Sequence, residues 1–181
     1  NEGLIPVFNV YLAHTPQDLY NMMTINFIKE MSRINLAPIA KDMLIEDAER
    51  CALHTFSGIM DSEEWNDLVK PMIKDEADNL FGVNAFANAL GWGRFSITKH
   101  EPHKSLELTS FNGHEATGFI EFENYNHEAQ CCMLTGITAG MMELIYERGE
   151  LQNRAGKYYS KEHLCMSKKD EVCTFLAELD E

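Results

Sequence analysis

The chain has 181 residues, 45% of them apolar and 24% charged, the composition of a globular protein that fits one domain and buries a core without covalent staples. Its formal net charge of −14 sets up a field that repels phosphate backbones and anionic headgroups, which argues against nucleic acid as a partner. No apolar run approaches the roughly 20 residues of a membrane-spanning helix, so the chain reads as cytoplasmic, and its five cysteines lack the density of a secreted disulfide framework.

Residues 1–37 read as an N-terminal extension, with Val7, Val10 and Leu12 suggesting a short extended piece and 17–33 a helix. From Pro38 the pattern sharpens. Ile39, Met43, Leu44, Ala48, Cys51, Ala52 and Phe56 recur at helical spacing, with Lys41, Asp42, Glu46, Glu49 and Arg50 on the other side, predicting an amphipathic helix over 38–57. Asp61 followed by Glu64 resembles a helix start, Pro71 suits the first turn of a restarted helix, and a short helix over 83–90 stops at Gly91.

The period then falls from about 3.6 to about 2 residues. Phe95 and Ile97 alternate with Arg94, Ser96 and Thr98, and Leu106 and Leu108 with Glu107 and Thr109, which predicts a hairpin. Asn112-Gly113 marks a turn, and 117–123 is expected to be a third strand. Over 131–146 a helical stripe of Leu134, Ile137, Met141, Leu144 and Ile145 accompanies Gly136 and Gly140, one turn apart, which let another backbone come close. Two extended pieces, 157–164 and 171–179, close the chain around a polar turn. The fold class that follows is α+β, an antiparallel sheet meander packed on helices, with residues 38–181 as the domain.

Four of the five cysteines lie after residue 130. Thiolates are good zinc ligands and a carboxylate can complete a tetrahedron, so Glu162, Cys165 and Cys173 with Cys131 or Cys132 would make a closed site. Convergence of Glu162 and Cys165 requires the strand to end near Leu164, since both lie on opposite faces of a straight strand. Inert buried thiols are the alternative, and His163 and His127 are possible substitutes.

The order Cys131-Cys132-Met-Leu-Thr-Gly136, Gly140, Glu162-x2-Cys165-x7-Cys173 resembles the C-terminal signature of 4-vinyl reductase domains. Gly91-Trp92-Gly93-Arg94-Phe95 and Asn112-Gly113-His114-Glu115-Ala116 resemble the family's entry to its first strand and a turn upstream. The chain departs from the pattern by inserting 147–158, by lacking the glycine between the last two cysteines, and by placing Phe175 one residue late.

The resemblance implies a fold shared with TRAPP-complex subunits and with the effector-sensing domains of phenol- and xylene-responsive activators. It implies zinc at Cys131, Glu162, Cys165 and Cys173, and a small apolar or aromatic ligand in a cavity lined by Phe86, Trp92, Phe95, His114, Phe119 and Met142. A homodimer follows from the same relatives and from the two glycines. The leading expectation is a small-molecule-binding or sensing protein that acts as an accessory or regulatory factor. An enzyme or enzyme subunit of aromatic or tetrapyrrole metabolism and a structural assembly subunit are the alternatives. No Gly-rich phosphate loop or nucleophile elbow supports a reductase or hydrolase reading.

Overall fold

The computed structural model describes residues 5–13, 15–124 and 128–180. Strands β1 (Ile5–Val7) and β2 (Val10–Leu12) form a small hairpin, followed by helices α1 (Gln17–Ser32), α2 (Ala37–Met60), α3 (Glu63–Leu68) and α4 (Asp78–Ala89). Strands β3 (Phe95–Glu101) and β4 (Ser105–Ser110) precede α5 (His114–Glu123) and α6 (Cys132–Tyr146), and β5 (Tyr158–Leu164) and β6 (Cys173–Leu179) end the chain. The second sheet is antiparallel with strand order β3-β4-β6-β5, so the two hairpins join through β4 and β6 and the architecture is α+β.

Local chemistry explains the boundaries. Pro38 sits in the first turn of α2, where its missing N–H costs nothing. Ser62, one residue after the expected Asp61, caps α3 by accepting the Trp65 N–H at 3.1 Å. Pro71 lies in a short 3-10 turn, Lys70–Met72, and Gly91 takes φ +81° beyond the end of α4.

The strand expected over 117–123 is α5 instead. Its buried residues Glu115, Ala116, Gly118 and Phe119 fit one face of a helix, and a run this short carries too few periods to separate strand from helix. Tertiary contact decides: a Cβ on Gly118 would lie 1.9 Å from the Asn21 amide nitrogen of α1.

Helix α6 is buried on nearly every side, as expected for a helix between two layers. The sheet covers one face and α2 the other. A Cβ at Gly136 would stand 2.1 Å from the Ile45 carbonyl oxygen, and one at Gly140 2.6 Å from that of Glu49. The two glycines therefore serve a helix crossing within the chain, and that face is not free for a second copy. The core is built around this crossing by Leu53, Phe56, Leu80, Val83, Met141 and Phe175. No helix among the described residues is long and apolar enough to cross a membrane.

Candidate metal centre and apolar cavity

Three separate elements bring four donors together. Cys131 precedes the first turn of α6, Glu162 lies in β5, Cys165 follows the end of β5, and Cys173 opens β6. One ligand atom from each lies within 4.8 Å of all the others, and all four residues are buried. The Cys131 sulfur stands 3.9 Å from that of Cys165 and 3.8 Å from that of Cys173. A disulfide would need about 2.05 Å. Tetrahedral ligands about 2.3 Å from a central ion are separated by about 3.8 Å, so the thiols already have the spacing of a zinc site.

The convergence has a local cause. Pairing of β5 with β6 shifts register between Glu162 and Leu164, and the strand stops at Leu164, which turns Cys165 onto the same side as Glu162. The tip is then tied to Cys165: its N–H donates to Asp170 Oδ2 at 2.8 Å and its carbonyl accepts the Lys168 N–H at 2.8 Å. Ser167 Oγ lies 3.0 Å from the Cys165 sulfur, and the Met166 N–H donates to that of Cys173 at 3.3 Å. Lys169 adopts φ +76°, a left-handed conformation that favours glycine.

Cys131 belongs to the cluster and Cys132 does not; Cys131, Cys132 and Glu162 all line a neighbouring groove, in which Cys132 is buried. His163 is exposed, and His127 lies outside the described residues. The Cys131 N–H donates to Glu162 Oε2 at 2.9 Å. One turn further, the N–H groups of Met133 and Leu134 donate to Glu115 at 2.9 and 3.0 Å, which satisfies orphan donors at the start of α6. Sequence reasoning missed Glu115, whose only visible signal was its place two residues after the Asn-Gly turn.

The electrostatics of the cluster are those of a donor set short of positive charge. Hydrogen bonds from the Cys131 and Cys173 thiols hold the Cys165 thiol far below its ordinary range, while the Cys131 thiol is pushed well up, chiefly by its bond to Cys165. Burial pushes the Glu162 carboxyl up to about 9, with the neighbouring Cys165 charge adding to it. One thiolate thus forms and the remaining donors keep their protons. A bound divalent cation would reverse that order, since thiolate and carboxylate are the ligating forms.

The residues expected to line a ligand cavity are dispersed. Trp92 and Phe95 line a narrow apolar cavity together with Leu108, Leu134, Met141 and Phe175. Its free volume is about 10 Å³, scarcely room for one water. Met141 faces it where Met142 was expected, and Phe119 is buried away from it. Phe86 packs instead against Phe8 and Trp65, with ring centroids at 4.6 and 5.6 Å. His114 opens α5 beside the Trp92 backbone: its Nδ1 lies 3.0 Å from the Trp92 carbonyl oxygen. Burial lowers its pKa and favours the neutral ring.

A second buried carboxyl cluster anchors the inserted segment. Glu143 of α6 accepts the Lys157 and Tyr158 N–H groups at 2.7 and 3.3 Å, and Glu49 of α2 accepts that of Gly156 at 2.6 Å. Burial, backed by the adjacent Glu49, pushes the Glu143 carboxyl up to about 8, so Glu143 keeps its proton near neutrality.

The sequence matches no family model and no curated protein. Solved structures that share the fold include these two. One is the phenol-responsive sensory domain of the transcription activator PoxR with phenol, at 11% identity and a TM-score of 0.74, covering 98% of this chain and 81% of that one. The other is a trafficking protein particle complex subunit 3 from Naegleria fowleri covalently bound to palmitic acid, at 11% identity and a TM-score of 0.59, covering 91% of this chain and 95% of that one.

Proposed function

We propose that the chain is a small-molecule-binding domain of the sensory kind, a distant member of the 4-vinyl reductase family. In this reading Cys131, Glu162, Cys165 and Cys173 hold a structural zinc ion, and the cavity under Trp92 and Phe95 receives an apolar or aromatic ligand. The observation that carries it is the buried Cys3Glu cluster with sulfurs 3.8 and 3.9 Å apart. The likeness to a phenol-responsive sensory domain supports the sensory part.

The zinc would tie the closing hairpin to the start of α6. Four protein donors leave no position for substrate, which favours a structural over a catalytic role. An aromatic occupant needs more room than the cavity offers, and half-buried Trp92, set between Gly91 at φ +81° and Gly93 at φ +156°, is the side chain placed to swing out. The Trp92 carbonyl meets both the backbone N–H and the ring of His114, at 3.2 and 3.0 Å. The next residue, Glu115, holds the start of α6. Movement at the cavity mouth would thus reach the metal hairpin through α5, and an accessory or regulatory partner would read it there. Cytoplasmic residence and a homodimer belong to the same reading and rest on sequence and resemblance, the dimer without the two glycines.

The test is elemental analysis of protein purified without chelator, followed by titration with phenol while tryptophan fluorescence is recorded. The expected result is about one zinc per chain and a saturable change that Trp92→Ala abolishes. Absence of metal would overturn the zinc centre, and a fluorescence trace without saturation would overturn the aromatic cavity.

A further inference from the structure

A groove separate from the Trp92 cavity runs between the start of α2, the start of α6 and the edge strand β5. Its volume is about 410 Å³, within the range of about 300–1,000 Å³ of small-molecule sites. Ile45, Thr135 and the buried Cys132 form an apolar floor with Ser160. Ser160 is 7% exposed, and its hydroxyl is buried with no hydrogen-bond partner among the described residues. Buried hydroxyls nearly always have a partner, because an unmet one is left without the water it gave up.

Three of the other polar residues are already engaged. Lys41 pairs with Glu128 at 2.8 Å and donates to the Ala129 carbonyl at 3.2 Å, Thr135 donates to the Cys131 carbonyl at 2.7 Å, and Glu162 belongs to the thiol cluster. Apart from Glu162, the lining sets the carboxylates of Asp42 and Glu128 against the ammonium groups of Lys41 and Lys161. That balance leaves no surplus cation for an anionic occupant, which the field of a chain of net charge −14 also opposes.

We propose that this groove is a binding site for a neutral small molecule with an apolar body and one hydroxyl or carbonyl group, which bonds to Ser160. The site goes beyond the function proposed above, since it requires neither the metal nor the Trp92 cavity.

Benzyl alcohol is the probe, with phenylacetate as its anionic counterpart, each titrated into the nitrogen-15-labelled full chain and followed through the backbone amides. Benzyl alcohol should shift Ser160, Cys132 and Lys41 saturably, and phenylacetate should bind at least several-fold more weakly. Ser160→Ala should weaken benzyl alcohol binding roughly two- to tenfold, the worth of one neutral hydrogen bond. Ile45→Trp should block the groove, and if that variant fails to fold, Ser160→Ala alone decides between the outcomes. Trp92→Ala should leave these shifts in place while removing the response of the other cavity. The proposal is overturned by shifts that centre on Trp92 and Phe95 alone, by equal affinity for phenylacetate, or by wild-type affinity in Ser160→Ala.

Discussion

The backbone N–H of Cys131 donates to Glu162 Oε2 at 2.9 Å, while Glu162 Oε1 is buried without a hydrogen-bond partner among the described residues. One carboxylate oxygen therefore fastens α6 to β5, and the other is left for a ligand that the hydrogen bonds of the chain do not supply. Glu162→Gln keeps the first role, since an amide oxygen still accepts from Cys131, and loses the charge of the second. Zinc affinity in Glu162→Gln should fall by about 10-fold or more, with little change in apo stability, whereas Cys165→Ser should lose the metal and melt well below wild type. Competition with a chromophoric chelator measures the first and thermal melts the second; equal zinc affinity in both variants and wild type would refute the centre.

The stability contributed by Glu115 and Glu143 should decline as pH rises from about 4.5 to about 8. Burial holds Glu115 up to about 7 and Glu143 up to about 8, from an ordinary 4.5. Across that window these two carboxyls keep, in the folded chain, protons that the unfolded chain has released, so their contribution falls with rising pH and levels off beyond it. Glu143→Gln mimics the protonated carboxyl, accepting from Lys157 and donating to Glu49. Relative to wild type it should gain stability between pH 5 and pH 8, at up to about 1.4 kcal/mol per unit. Urea unfolding of both proteins at the two pH values checks this, and a constant difference would count against a protonated Glu143.

Helix crossing at Gly136 and Gly140 gives a graded expectation. Gly136→Ala meets the Ile45 carbonyl at 2.1 Å and Gly140→Ala that of Glu49 at 2.6 Å, both backbone atoms that cannot rotate away. Each should cost at or above the about 1–3 kcal/mol typical of overpacking, Gly136→Ala more than Gly140→Ala. Chemical denaturation ranks them; a neutral Gly136→Ala would mean that the two helices do not cross there.

Lys169→Gly should be a gain. Lys169 holds φ +76°, and a left-handed residue other than glycine costs about 1–2 kcal/mol. Glycine removes that strain but loosens the unfolded chain by about 0.4–1 kcal/mol. The net is about 1 kcal/mol, or roughly 2–4 °C in melting temperature for a chain of this size. A lower melting temperature would show that the lysine side chain contributes more than its backbone costs.

The metal cluster is legible in the sequence because its logic is local. Glu162, Cys165 and Cys173 fall within one hairpin, and their convergence requires only that β5 stop at Leu164, where it does stop. The hairpin of β3 and β4 and the long helices are legible from period alone. What escapes is set by distant partners. Glu49 reads as part of a solvated face, yet the inserted segment covers it and its carboxylate accepts the Gly156 N–H. Ile39 and Met43 read as part of the apolar stripe of α2 and are 52% and 49% exposed, whereas Ala40 between them is fully buried, because the two lie on the face of the helix away from Ala48, Ala52 and Phe56. The helical 117–123 segment depends on Asn21 filling the notch at Gly118, nearly a hundred positions away in sequence. The ligand residues scatter for the same reason: Trp92 and Phe95 share a strand entry, whereas Phe86, Phe119 and Met142 sit on three other helices.

The crossing of α2 and α6 also sets the order of assembly. During synthesis α2 emerges early, carrying the bare carbonyls of Ile45 and Glu49 that only the glycine face of α6 can approach. The sheet is in the same position, since β4 must wait for β6 to reach its inner edge. Neither layer can close until the last quarter of the chain has been made, and the contacts that close them are distant in sequence. Such a topology folds slowly and exposes apolar surface while it waits. Truncation before β6 should therefore leave a chaperone substrate and not a smaller stable protein.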